Sequence, residues 1–93
     1  MNDSTYLNGQ QAAMLMQNGN GLPLSEGGFV EYGMNGTLAH ESAELMSGTM
    51  GRPEGLVVVR FMKHCCLHYA VCSPDALARV TGRTAAAAAR GVR

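Results

Sequence analysis

The sequence predicts an α+β fold, a small antiparallel sheet with two or three packed helices in a single small domain spanning residues 1–93. Three observations point there. A β-rich run opens at Leu56-Val-Val-Val-Arg-Phe and stays apolar to Val71, a helix start is written at Ser73-Pro74-Asp75, and two stretches rich in Ala, Leu and Met precede them between Gly- and Asn-rich turns. A chain of this length holds one modest core, burying roughly 60 to 65% of the surface its unfolded state exposes.

The first helix is expected over residues 5–17. Ser4 serves as its N-cap, Tyr6, Leu7 and Ala12 to Met16 as its apolar content, and Asn18-Gly19 as its stop, with Gly9 shifting the start towards Asn8. Residues 18–28 are glycine-rich and read as a flexible loop. Phe29 to Tyr32 has strand formers, and Asn35-Gly36 is a turn. A helix over 37–47 follows, with Leu38, Ala39, Ala43, Leu45 and Met46 apolar; the alternative is a strand from Thr37, disfavoured because Ala, Glu, Leu and Met outnumber β-branched residues.

Gly51 to Gly55 reads as a turn, and a strand is expected from Leu56 through Val71 with a turn or bulge near Lys63, although no Gly or Asn is there to make a hairpin. In that strand His64, Cys66, His68 and Cys72 share a face opposite Val57, Val59 and Phe61. A helix over the same region would instead gather His64, Cys65, His68 and Cys72 within an arc of about 100°. The Ser-Pro-Asp start leads into a basic helical segment at 74–93, helical to about Arg90, with Gly82 as a point of interruption.

Composition excludes several classes. No run reaches the ~18 to 20 apolar residues that span a bilayer, and the first residues have neither a basic nor an apolar signal region, so the expectation is a cytoplasmic protein without membrane contact. Three cysteines, Cys65, Cys66 and Cys72, lie within eight residues and leave nothing to staple distant segments, which reads as reduced thiols. Seven Met and no Trp describe an adaptable core or contact surface. Charge divides the chain: residues 1–51 carry five acids and no Lys or Arg, whereas 52–93 carry seven bases and two acids. The halves are complementary within a monomer or dimer, or the basic half faces an acidic partner.

Candidate chemistry is sparse. His64, Cys66, His68 and Cys72 are the metal-ligating types, but a tetrahedral site wraps an ion from two separate segments, and one short element cannot supply all four ligands. His40-Glu41 lacks the second His of a zinc-protease helix, and no phosphate loop or nucleophile elbow occurs. No cofactor and no catalysis are expected. Ala76 to Arg93 resembles the two helices and turn of a helix-turn-helix DNA-binding unit, with Ala78 at the close-packing position before Gly82. The resemblance covers only the last ~20 residues; it departs at Thr81 and Arg83, where that motif buries apolar side chains. It implies phosphate contact by Arg79, Arg83, Arg90 and Arg93.

The leading expectation is therefore a non-enzymatic regulator or inhibitor that occupies the surface of a partner protein, with Tyr32, Tyr69, Arg79, Arg83, Arg90 and Arg93 as contacts. The alternatives are a DNA-binding regulator using the C-terminal arginines and a small metal-binding protein using the cluster at 64–72. A homodimer is a way to cover the edge of so small a sheet.

Overall fold

The computed structural model of the protein describes residues 4–50 and 55–82. In chain order these form β1 (Ser4–Tyr6), α1 (Gly9–Gly19), a 3-10 turn (Leu24–Glu26), β2 (Phe29–Gly33), α2 (Gly36–Met50), β3 (Val57–Lys63), β4 (Cys66–Cys72) and α3 (Pro74–Thr81). The α+β expectation holds. The strands make one sheet in the order β1-β3-β4-β2. It is mixed, because β1 runs parallel to β3 while the other pairings are antiparallel.

In the β3–β4 unit the turn expected near Lys63 is a full reversal of the chain. The unit is a tight hairpin whose turn is His64-Cys65, with φ of 53° and 63°. Two successive left-handed residues are the geometry of a two-residue turn matched to strand twist, a place where Asn-Gly is the usual sequence. Holding other residues there costs roughly 1 to 3 kcal/mol each, which the ladder running from Val57↔Cys72 to Lys63↔Cys66 offsets. The turn also inverts side-chain parity. Phe61 pairs with His68 and Val57 with Cys72, so Cys66, His68 and Cys72 share the face of Val57, Val59 and Phe61 rather than opposing it.

That face packs against Leu7, against Ala12 and Leu15 of α1, and against Ala76, Leu77 and Val80 of α3. On the other face Leu56, Val58 and Val71 meet Ala39 and Ala43 of α2, with Tyr32, Met46 and Tyr69 at the margin. The sheet is thus the middle of three layers. Consecutive valines suit this position, because a strand covered on both faces needs apolar residues at successive positions; each buried Val or Phe contributes roughly 1.5 to 3 kcal/mol.

The helix ends follow their local chemistry. α1 starts at Gly9, at the later of the two expected starts and not at residue 5, and Ser4 lies in β1 opposite Val58 instead of capping a helix. The cap is Asn8: its Oδ1 accepts from the Gln11 N–H at 2.8 Å, and Gln11 Oε1 accepts from the Asn8 N–H at 3.1 Å, a reciprocal capping box. Glycine costs little at this first position, where it would weaken a helix interior. α3 begins as expected, with Ser73 Oγ accepting from the Ala76 N–H at 3.1 Å. It ends at Thr81, where Gly82 takes the left-handed cap and its N–H donates to the Ala78 carbonyl at 2.8 Å. The expected continuation to Arg90 lies outside the described residues.

Asn18 and Gly19 close α1 rather than opening the expected loop, and the chain from there to Gly28 folds into local turns, with the N–H groups of Glu26 and Gly28 both donating to the Pro23 carbonyl at 2.9 Å and Gly27 and Gly28 buried. At the far end of α2, Ser47 Oγ donates to the Ala43 carbonyl and accepts from the Leu56 N–H, each at 2.6 Å. One hydroxyl therefore ties the helix to the start of β3.

Candidate functional site

Helix α2 is the element that places the surface features. Small side chains at Ala39 and Ala43 let it approach the sheet closely, and Met46 completes the inward row. On the opposite side it presents Leu38 and Leu45, the latter 76% exposed. At ~100° per residue these two lie about 20° apart and point away from the Ala39–Ala43 row. Met34, just before the helix, is 67% exposed. An amphipathic surface helix normally carries polar residues on its outward side. Glu41 and Glu44 are exposed on the same helix.

Between the first turns of α2 and the sheet is an open cleft of about 450 Å³, lined by Ser4, Met34, Gly36, Thr37, His40 and Tyr69. The Asn35 side chain caps α2, its Oδ1 accepting from the Leu38 N–H at 3.0 Å. This fixes Gly36 against Tyr69, so close that a Cβ on Gly36 would stand 2.8 Å from Cζ of the ring. Tyr69 in turn pairs across the hairpin with Arg60. The Arg60 guanidinium lies over the Tyr6 ring, 5.7 Å from its centroid, and its Nη1 donates to the Ser4 carbonyl and, at 2.9 Å, to Ser4 Oγ. Among the described residues the side chains of Thr37, His40 and Tyr69 make no hydrogen bond to the protein.

The residues singled out from the sequence are distributed over both faces. Tyr32 and Tyr69 are half-buried together on the α2 side. Arg79 is exposed on α3, which covers the opposite face, and Arg83, Arg90 and Arg93 lie outside the described residues. The metal-type residues do not converge. Cys66 and Cys72 occupy opposite ends of β4, about 20 Å apart at the rise of a strand, and His64 sits in the turn. Burial in the core pushes the Cys72 thiol up to about 12 from its ordinary 9.0, so it stays protonated at neutral pH. Among the described residues no group of three or more His, Cys, Asp or Glu side chains is arranged to hold a metal ion.

His68 instead joins a charged cluster. Its Nδ1 lies 3.2 Å from Glu31 Oε2, close but short of an aligned hydrogen bond, and Lys63 Nζ reaches the same carboxylate at 3.2 and 3.3 Å. The imidazole stacks on Phe61 at a centroid distance of 6.3 Å. Both partners of the Lys63–Glu31 pair are partly exposed, so it contributes at most about 1 kcal/mol.

Comparison with family models, curated proteins and solved structures finds no match to this chain. No helix among the described residues is long and apolar enough to cross a membrane. The cleft residues Ser4, Thr37 and His40 were not singled out as site residues from the sequence, because only the sheet order brings β1, β4 and the start of α2 together. The outward leucines were visible in the sequence as apolar helix residues, yet nothing there separated them from the inward row.

Proposed function

We propose that this protein is a non-enzymatic regulator or inhibitor that binds a partner protein through the outward side of α2. The observation that supports this reading is the exposure of Leu38 and Leu45 on the side of α2 turned away from the core. Burying such a side chain completely contributes roughly 1.5 to 3 kcal/mol, so a short apolar row can anchor an interface of ordinary size.

Charge narrows the partner. Glu41 flanks the leucines, and residues 1–51 contain no Lys or Arg. The matching surface is an apolar strip with a basic rim. Self-pairing of this helix would bring two acidic rims together, which favours a different protein over a second copy. Arg79, on the opposite face, is outside this contact.

Affinity capture from the source cells, with retained proteins identified by mass spectrometry, tests the reading. A specific protein should be retained by the wild-type chain, lost with the Leu38→Ser/Leu45→Ser double variant and kept by Arg79→Ala. Retention that ignores the α2 double variant and depends on Arg79 contradicts it.

A further inference from the structure

The cleft beside α2 has a chemical character that the α2 surface does not. Its polar lining consists of Ser4, Thr37, His40 and Tyr69, with no Asp or Glu, although its lining residues other than Tyr69 come from the half of the chain that holds five acids and no Lys or Arg. A positive charge stands beside the lining: Arg60, which donates to Ser4 and lies over the ring of Tyr6.

That contact also sets the direction of the Ser4 hydroxyl. Ser4 Oγ accepts from Arg60 Nη1 at 2.9 Å, so its own proton is left to donate elsewhere, and a guanidinium on the oxygen makes it a better donor. Thr37 and Tyr69 add hydroxyls, and His40 a ring nitrogen, none engaged with the protein among the described residues. A volume of about 450 Å³ is within the range of small-molecule sites. Met34 and the Tyr69 ring supply apolar wall.

We infer that this cleft binds a small molecule bearing an oxyanion group, a carboxylate or a phosphate, whose oxygens accept from Ser4, Thr37 and Tyr69 beside the charge of Arg60. Three hydroxyls that can each donate, beside one cation and with no carboxylate in the lining, complement a group that only accepts. The site is separate from the apolar row on α2 and does not depend on the partner reading.

The test is a titration of the 15N-labelled full chain, followed by amide chemical shifts, with inorganic phosphate in one arm and acetate in another. Sodium chloride at matched ionic strength is the control. Saturable shifts at Thr37, His40 and Tyr69 are expected with at least one oxyanion at tens of millimolar and not with chloride; which arm responds tells phosphate from carboxylate. Tyr69→Phe, which keeps the ring against Gly36, and Thr37→Val should each weaken binding roughly tenfold or more, the effect of one hydrogen bond to a charged group. Arg79→Gln, on the opposite face, should leave it unchanged. Shifts that follow ionic strength alone, or that survive both cleft variants while failing in Arg79→Gln, overturn the inference.

Discussion

Gly36 and Tyr69 are in such close contact that the helix residue cannot carry a side chain without displacing the ring: a Cβ would meet Cζ at 2.8 Å and both Cε atoms at 3.0 Å. Gly36 is the first residue of α2 and lies on the wall of the cleft. In an unobstructed helix Gly→Ala stabilises, by about 0.4 to 1 kcal/mol. Here Gly36→Ala should destabilise by about 1 to 2 kcal/mol, because overpacking outweighs propensity. Chemical denaturation measures it, and the penalty should vanish in a Tyr69→Ala background. A penalty that persists there would place the strain elsewhere.

The hairpin turn makes a prediction of opposite sign. His64 and Cys65 both sit at positive φ, where Asn and Gly are at ease. His64→Asn with Cys65→Gly should raise stability by about 1 to 2 kcal/mol without changing the register. An unchanged denaturation midpoint would mean that the turn stores no strain.

Ser47 should behave as a structural hydroxyl. Removing it in Ser47→Ala leaves the half-buried Leu56 N–H without its 2.6 Å partner, at a cost of about 1 to 3 kcal/mol. Hydrogen exchange should quicken first at Leu56 and along the last turns of α2; protection there equal to the wild type would contradict the assignment.

Cys72 predicts an alkaline limit. Its thiol ionises at about 12 in the folded chain against an ordinary 9.0, because burial penalises the thiolate. Below pH 9 the thiol is neutral in both states and its contribution is intact. Above pH 9 the unfolded chain releases the proton and the folded chain holds it, so stability falls as pH rises towards 12, with a slope approaching 1.4 kcal/mol per pH unit for this one group. Cys72→Ala should flatten that part of the profile, whatever it costs at neutral pH. Thiol reagents at mildly alkaline pH should label the exposed Cys65 and Cys66 at once and Cys72 only on unfolding.

What the sequence made legible was local. The Ser73-Pro74-Asp75 start, the valine strand and the helix after Asn35-Gly36 are each written in a few neighbouring residues, and the structure has them. β1 was not legible because three residues carry no periodicity; only the partner Val58–Arg60 makes Ser4–Tyr6 a strand. A turn near Lys63 was legible, but its hairpin geometry was not, because it uses His and Cys where Asn and Gly are the signal, and that reversed the faces assigned to the residues of β4. For the same reason the cleft was visible only as Tyr69, since its other walls come from segments more than 25 residues away in the chain.

In the proposed reading the apolar row on α2 lies against a partner protein. Its most direct test is a photo-crosslinking residue placed at position 45 and, separately, at position 79, with the chain expressed in its source cells. One dominant crosslinked protein, trapped from position 45 and absent from position 79, is the predicted result. Position 45 trapping nothing above background, while position 79 traps a single species, would contradict it.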